Sequence, residues 1–323
     1  MDDFGFRQHT ISTPYMVGPV HCYSGFLQGE PVLFDTGPPT EEAKQYLAEN
    51  IDLGGLRHVF ITHSHIDHYG LAYWLEENSD ATVYLPRRDC LKILHHEKRI
   101  EGITELLRET GLAEQYIDML HRVFESGVLF PPFPKRYQEA ETAGLSGLNI
   151  LPCPGHSQAD LVYHGDGWMV TGDTLLHGIF QCPLLDIDLE QGGRYNNYEA
   201  YCRTIVGLFQ LAGKKVMPGH RFTIPGISQT IGFYVEKMLQ RAAQLYPLRH
   251  EKDIMRLLAT LFGERMQDAF FLYLKISEIV FMLDFLARPE LLARSLSEIG
   301  LYEELAPLFP VDQSLLEPDF PKR

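Results

Sequence analysis

The sequence predicts an α/β protein of the α+β kind, with two sheets sandwiched between helices. Three observations carry this. Strand-like runs gather in two blocks, residues 9–85 and 148–220. A helical insertion at about 87–140 separates the blocks. Helical spacing then resumes at residue 227 and continues to about 310. Two β-rich blocks with helices between and after them fit paired sheets covered on their outer faces. Residues 1–226 are read as one domain carrying the insertion, and 227–323 as a C-terminal helical domain.

Each element has its own local reason. HTISTPYMV, VHCYSGFL and PVLFDTG read as a hairpin-rich β segment over residues 9–36. Glu41 to Asn50 reads as a helix after the Pro38-Pro39 turn. HVFIT, rich in β-branched and aromatic residues, is a strand entering the core. LAYWLEE, Leu71 to Glu77, is a short helix, and ATVYL, Ala81 to Leu85, the next strand. Residues 87–127 carry good helix formers, broken at Gly102 and Gly111. GVLFPPFPKRY is a proline-broken loop. The β pattern returns with LNILPCPGHS, ADLVYHGDGWMVTGD and KKVMPGH, and NNYEAYCRTIVGLFQLAGK between the last two is a helix. In FYVEKMLQRAAQLY and MRLLATLF apolar residues recur at three and four.

Composition narrows the partners. With 323 residues, 45% of them hydrophobic and 22% charged, the chain has the makings of an ordinary globular core. A net charge of −15 opposes a polyanion, and no basic run exceeds Arg87-Arg88, so nucleic acid is not expected. MDDFGFRQHT lacks the basic and apolar regions of a secretory signal. The longest apolar run, residues 269–287, is interrupted by Lys275, Glu278 and Asp284 and reads as a buried helix, so no membrane is expected. The cysteines, at 22, 90, 153, 182 and 202, are odd in number and form no CxxC pair. That argues against a disulfide framework and for a reducing cytoplasm. The expected partner is a small-molecule substrate, with a homodimer through the C-terminal helices as a further option.

ITHSHIDHYG, residues 61–70, carries the chemistry. A strand alternates its side chains, so His63 and His65 can leave the sheet on one face, while Asp67 and His68 fan out at the turn into the next helix. Imidazole and carboxylate suit zinc, iron or manganese. Four candidate ligands can serve two adjacent ions, which then need more. His156 in PCPGHS, Asp173 in VTGDT and His220 in VMPGH each sit where a β-like run meets a glycine. Asp35 in FDTG is a candidate acceptor that orients a ligand histidine. His21 and Tyr23 on an early strand, and His177 four residues after Asp173, are weaker candidates for a substrate pocket. Cys153 reads as a small buried hydrophobe, and His95-His96 as a solvated face.

HSHIDH fits the HxHxDH signature of the metallo-β-lactamase superfamily, and PGHS, TGDT and PGH resemble its later ligand motifs in the same order. PVLFDTG resembles its early strand-plus-Asp motif, and the resemblance covers about residues 10–225. It implies a four-layer αββα sandwich with a dinuclear centre at one sheet edge. One ion would take His63, His65 and His156, the other Asp67, His68 and His220, and Asp173 would bridge them. Two divalent ions, zinc first with iron or manganese as alternatives, about 3.5–4 Å apart, would lower the pKa of a bridging water to roughly 7. Asp67 and Asp173 would be the catalytic carboxylates, partly neutralising the cations.

TGDTLL resembles the GDTLF stretch of glyoxalase II, yet the basic residues expected for glutathione are missing from HGIFQCPLLDIDLEQGGRYNNYEAY. Leu176 stands where lactonases of the quorum-quenching type place a Tyr. The order GDTLL, NNYEAY, VMPGH and a helical tail is similar to the broad group of β-lactamase-like hydrolases with a C-terminal helical domain. The implied activity is cleavage of a thioester, ester or lactone of a small apolar substrate by a metal-bridging hydroxide. The alternatives are a phosphodiesterase holding phosphate with Arg194 or Lys214-Lys215, and a non-catalytic metal-containing binding protein. The insertion and C-terminal helices are expected to cover the site as an apolar pocket.

Overall fold

The computed structural model describes residues 4–126, 130, 132–263 and 268–311. Two sheets lie face to face. In the first, β1 (Arg7–Ile11), β2 (Val20–Leu27) and β3 (Glu30–Phe34) pair antiparallel, and β4 (His58–Phe60), β5 (Thr82–Leu85) and β6 (Tyr137–Glu139) continue in parallel, in the order β1-β2-β3-β4-β5-β6. The second sheet runs β10-β9-β8-β7, from β7 (Asn149–Pro152), β8 (Leu161–His164), β9 (Trp168–Gly172) and β10 (Lys215–Pro218). Only its β9–β10 pair is parallel.

Side-chain alternation along these strands builds three apolar layers. Val32, Phe34, Phe60 and Tyr84 of the first sheet meet Tyr163, Trp168, Val170 and Met217 of the second between the sheets. Phe34 stacks on Phe60 at 5.5 Å, and Phe60 on Tyr84 at 4.5 Å. The neighbours Leu33, Val59 and Val83 face outward onto α1 (Glu41–Asn50) and α3 (Ala72–Asn78). Short α2 (Ile66–Tyr69) lies between β4 and α3, and α4 (Arg87–Leu94) adds Cys90 to the same layer. The Thr40 hydroxyl caps α1 by accepting from the Ala43 N–H at 3.2 Å.

The outer face of the second sheet carries the rest. Val162, Met169 and Val216 pack into one core with α5 (His96–Glu109), α6 (Glu114–Glu125), α7 (Asn197–Phe209), α8 (Ile227–Leu245), α9 (Ile254–Phe262), α10 (Ala269–Ala287), α11 (Pro289–Glu298) and α12 (Tyr302–Leu305). The chain is therefore a four-layer αββα sandwich with a helical C-terminal region. Helix α10 is apolar on most of its faces and correspondingly buried. Its charged residues are paired: Glu278 with Arg241 and Lys275, and Asp284 with Arg194 through two contacts of 2.7 Å. No described helix is long and apolar enough to cross a membrane.

Three expectations change. The first strand ends at Ile11 and not near residue 17, because Pro14, Gly18 and Pro19 break the run. Residues 137–139, inside the span read as insertion, form β6 at the sheet edge. The apolar stripes of the C-terminal helices pack into the core, and one gap beside them is small. The gap between α8 and the loop after Asp173, lined by Leu175, Leu176, Tyr201, Ile231 and Tyr234, is about 10 Å3, too small for an acyl chain. The proline-broken loop and the end of the helical tail fall partly outside the described residues, at 127–129, 131 and 312–323.

A chain ending at residue 226 would uncover Val162, Met169, Tyr198 and Ile205. It is expected to bind an apolar dye and to lose cooperative melting, and a soluble, cooperatively melting fragment would contradict a shared core. Phe281 sits in that core, edge-on to Tyr198 at 5.7 Å. Phe281→Ala is expected to cost about 3–5 kcal/mol in urea unfolding.

Candidate metal centre

The seven histidine and aspartate side chains converge at one edge of the sandwich, just past the C-terminal ends of β4, β7, β9 and β10. Three overlapping groups each bring their ligand atoms within 4.8 Å of one another: His63, His65 and His156; His63, His68 and Asp173; Asp67, His68 and His220. Both sheets contribute. They are stitched by the backbone, with Leu161 N donating to Thr62 O at 2.9 Å and His21 N to Gly219 O at 2.7 Å.

Hydrogen bonds fix the rings. His156 Nδ1 donates to Cys182 O at 2.7 Å, and His220 Nδ1 to Pro19 O at 2.8 Å. A carbonyl accepts only, so Nδ1 carries a proton in each ring and Nε2 is the nitrogen turned to the site. His68 Nδ1 donates to Asp35 Oδ2 at 2.7 Å. Asp35 also accepts from Thr62 N at 2.8 Å and from the Thr62 hydroxyl at 2.9 Å. With its proton spent, that hydroxyl accepts from His63 Nδ1 at 3.1 Å. One buried carboxylate thus orients two rings. Asp35 holds φ at +56°, a conformation that Asp tolerates better than most residues.

What the rings face is more telling. His63 Nε2 and His156 Nε2 each lie 2.9 Å from His65 Nδ1. One proton at most can lie between three such nitrogens, so a shared cation suits them better. His68 Nε2, Asp173 Oδ1 and His220 Nε2 are buried with no hydrogen-bond partner among the described residues. Orphaned buried polar atoms are costly, and here they are aimed at one another. Asp173 lies between the two halves: Oδ1 is 3.3 Å from His68 Nε2 and 3.6 Å from His220 Nε2, and Oδ2 is 3.7 Å from His156 Nε2. Asp67 Oδ2 is 3.3 Å from His220 Nε2. The donors are those that zinc, iron or manganese accept.

Charge divides the site. Burial, with the His68, His65 and His156 rings nearby, holds His63 well below the ordinary histidine pKa, and burial with His156 and Lys92 does the same for His65. Both are free bases at neutral pH, as ligands must be. In the other half burial is outweighed. Asp173, Asp35 and Asp67 raise His68, and Asp173 and Asp67 raise His220. Asp173, against its burial, is held well below the usual carboxylate range by His220 and His68.

Glycines let the backbone come this close. A Cβ on Gly219 would stand 2.7 Å from His68 Cε1 and 2.8 Å from Asp173 Oδ1. One on Gly172 would stand 2.5 Å from Thr62 Oγ1, and its φ of +49° also disfavours a side chain.

The weaker candidates sit to one side. His21 spends both ring nitrogens, on Thr10 Oγ1 at 3.1 Å and Arg221 O at 2.7 Å, and the Tyr23 hydroxyl donates to Pro218 O at 2.8 Å. Both line a cavity of about 540 Å3 with Phe6 and Arg221, and none of the seven converging residues lines it. His177 is exposed, its ring 6.4 Å from Phe222. Sequence reasoning missed three supports. Thr62 relays Asp35 to His63. Asp89 accepts from Ser64 N at 2.7 Å and Ser64 Oγ at 2.8 Å and pairs with Lys92 at 2.8 Å. Asp160 accepts from Ser157 N at 2.6 Å and Ser157 Oγ at 3.0 Å, its carboxyl pushed up to about 6 by burial. The Ser-x-x-Asp spacing signals the last; nothing in the helix around Asp89 signals the second.

Residues 17–220 match the family described as the Metallo-beta-lactamase superfamily. The chain belongs to that superfamily. It is accordingly a metal-dependent hydrolase. A probable metallo-hydrolase, YqjP, of Bacillus subtilis (strain 168) is 27% identical over 263 residues, 76% of this chain and 80% of that protein. A hydroxyacylglutathione hydrolase of Aeromonas salmonicida (strain A449) is 30% identical over 91 residues, 26% of this chain and 32% of that protein. Among solved structures, a metallo-beta-lactamase family protein from Thermus thermophilus superposes with a TM-score of 0.70 at 22% identity, over 88% of this chain and 94% of that one. A beta-lactamase domain protein from Burkholderia ambifaria gives 0.70 at 18% identity, over 88% of each chain. At these identities the superpositions speak for the fold alone.

Asp35→Ala removes the acceptor that orients both His68 and Thr62. It is expected to weaken zinc binding about 10- to 100-fold in chelator competition. Zinc at about 100 times its Kd should stabilise the wild-type protein by roughly 2.7 kcal/mol in thermal unfolding.

Proposed function

We propose that the protein hydrolyses an acyl carbonyl, as a thioester, ester or lactone of a small substrate, using two divalent ions. The observation that carries this is the placement of Asp173, with one carboxylate oxygen toward His68 and His220 and the other toward His156. In this reading His63, His65 and His156 would hold one ion and Asp67, His68 and His220 the other, with Asp173 placed to serve both. Zinc suits the donor set first, with iron and manganese compatible. Such ions supply an activated water at neutral pH and polarise the substrate oxygen.

The chain's own residues set the conditions. Asp67 and Asp173 offset part of the cationic charge. His65 and His156 are half-buried while His63, His68 and His220 are buried, so the substrate approaches past the first pair. A thiolate leaves readily because its conjugate thiol is a moderate acid, so a thioester makes small demands on a protonating side chain. The partial likeness to a protein named for hydrolysing hydroxyacylglutathione supports an acyl substrate. Two of the three residues offered for holding a phosphodiester have partners elsewhere: Arg194 pairs with Asp284, and Lys214 Nζ donates to Gly165 O at 2.5 Å. Five unpaired cysteines support a cytoplasmic setting.

The test is a hydrolysis panel on metal-loaded protein, with His65→Ala and Asp173→Ala as blanks. It holds acyl thioesters, lactones, bis(p-nitrophenyl) phosphate and a chromogenic β-lactam. Metal-dependent cleavage of the carbonyl substrates is expected, at least about 100-fold lower in both variants. Cleavage of the phosphodiester alone would overturn the acyl reading.

A further inference from the structure

Residues 180–185 touch two candidate ligands that come from different loops. Cys182 O accepts from His156 Nδ1 at 2.7 Å, and Leu184 N donates to His156 O at 2.9 Å. The Gln181 side chain donates to the backbone oxygens of Asp173 and Thr174. This short segment therefore sets the spacing between His156 and Asp173. It contains no helix or strand of its own.

The segment is gripped from behind by the C-terminal helices. The Tyr234 hydroxyl on α8 donates to Gln181 O at 2.6 Å. Phe180 stacks on Tyr234 with ring centres 4.5 Å apart, and the Arg241 guanidinium lies over the Phe180 ring at 4.5 Å. From α10, Ser277 Oγ accepts from Leu185 N at 3.0 Å, and the Tyr273 hydroxyl donates to Leu185 O. The Cys182 thiol donates to Leu274 O at 3.2 Å. Gln181, Tyr234, Tyr273 and Ser277 are all buried, so water does not readily replace these bonds.

We infer that α8 and α10 are positioning parts of the metal centre, acting through residues 180–185 on His156 and Asp173. The inference rests on the metal-centre reading above and adds a role for residues that touch neither substrate nor metal. Coupling between two sites is reciprocal. If the helices set the ligand geometry, an ion bound between the ligands also tightens the helices.

Zinc affinity of the metal-free full-length protein is measured by competition with a chromophoric chelator, in wild type, Tyr234→Phe and Gln181→Met. Gln240→Ala, on the exposed face of α8, is the control. Both test variants are expected to bind zinc about 10- to 100-fold more weakly, and the control to match wild type. The visible spectrum of the cobalt-loaded protein should shift in both test variants, which a loss of stability alone would not produce. Amide exchange across α10 should slow when zinc is added to wild type. Ser277→Ala carries the same expectation and replaces Gln181→Met if that variant does not fold. Folded variants with unchanged affinity and spectrum overturn the inference and leave the metal centre standing. A wild type that binds none of zinc, iron and manganese overturns the metal-centre reading, and this one with it.

Discussion

Everything at the sheet edge depends on one buried carboxylate accepting three hydrogen bonds. Asp35 stands at the end of β3 and takes the Thr62 amide, the Thr62 hydroxyl and His68 Nδ1. The first of these ties β3 to the end of β4, from which the histidine motif leaves the sheet. The other two decide which nitrogen of His63 and of His68 is bare. A neutral side chain of the same shape could not accept all three, so the charge here sets geometry before it sets any potential.

That arrangement is unfavourable in isolation. Several imidazoles and three carboxylates are withdrawn from water, and three of their polar atoms have no partner among the described residues. The surrounding fold over-determines the site to compensate. Aromatic stacking between the sheets, the stitches across their edges and a continuous helical layer on the outer face all hold the loops that carry the candidate ligands. Local cost supported by global packing is the usual signature of a functional centre.

Much of this was legible in the sequence. The strands around Val32 to Phe34 and Val59 to Phe60 announce themselves by β-branched and aromatic content, and Glu41 to Asn50 begins and ends where its cap and composition say. The seven converging side chains stand out because each sits beside a glycine or within a dense histidine run. Other features left no local trace. The role of Asp89 is set by a loop 25 residues away in sequence, and helical periodicity is blind to it. Apolar periodicity likewise cannot say whether a helix face meets a core or a cavity. Here it meets a core. The three residues of β6 are too few to show alternation and are a strand only because β5 offers them an edge.

The stitched seam between the sheets has a consequence in time. His63, His65, Asp67 and His68 are made long before His156, Asp173 and His220 emerge during synthesis. A nascent chain therefore carries four of the seven candidate donors, with Asp35 and Thr62 already present to orient His68 and His63 but nothing to complete the set. Only when the second sheet has docked do Pro19 and Cys182 lend their carbonyls to the late histidines. The full donor set thus exists only in the packed sandwich, and no contiguous stretch of the chain reproduces it.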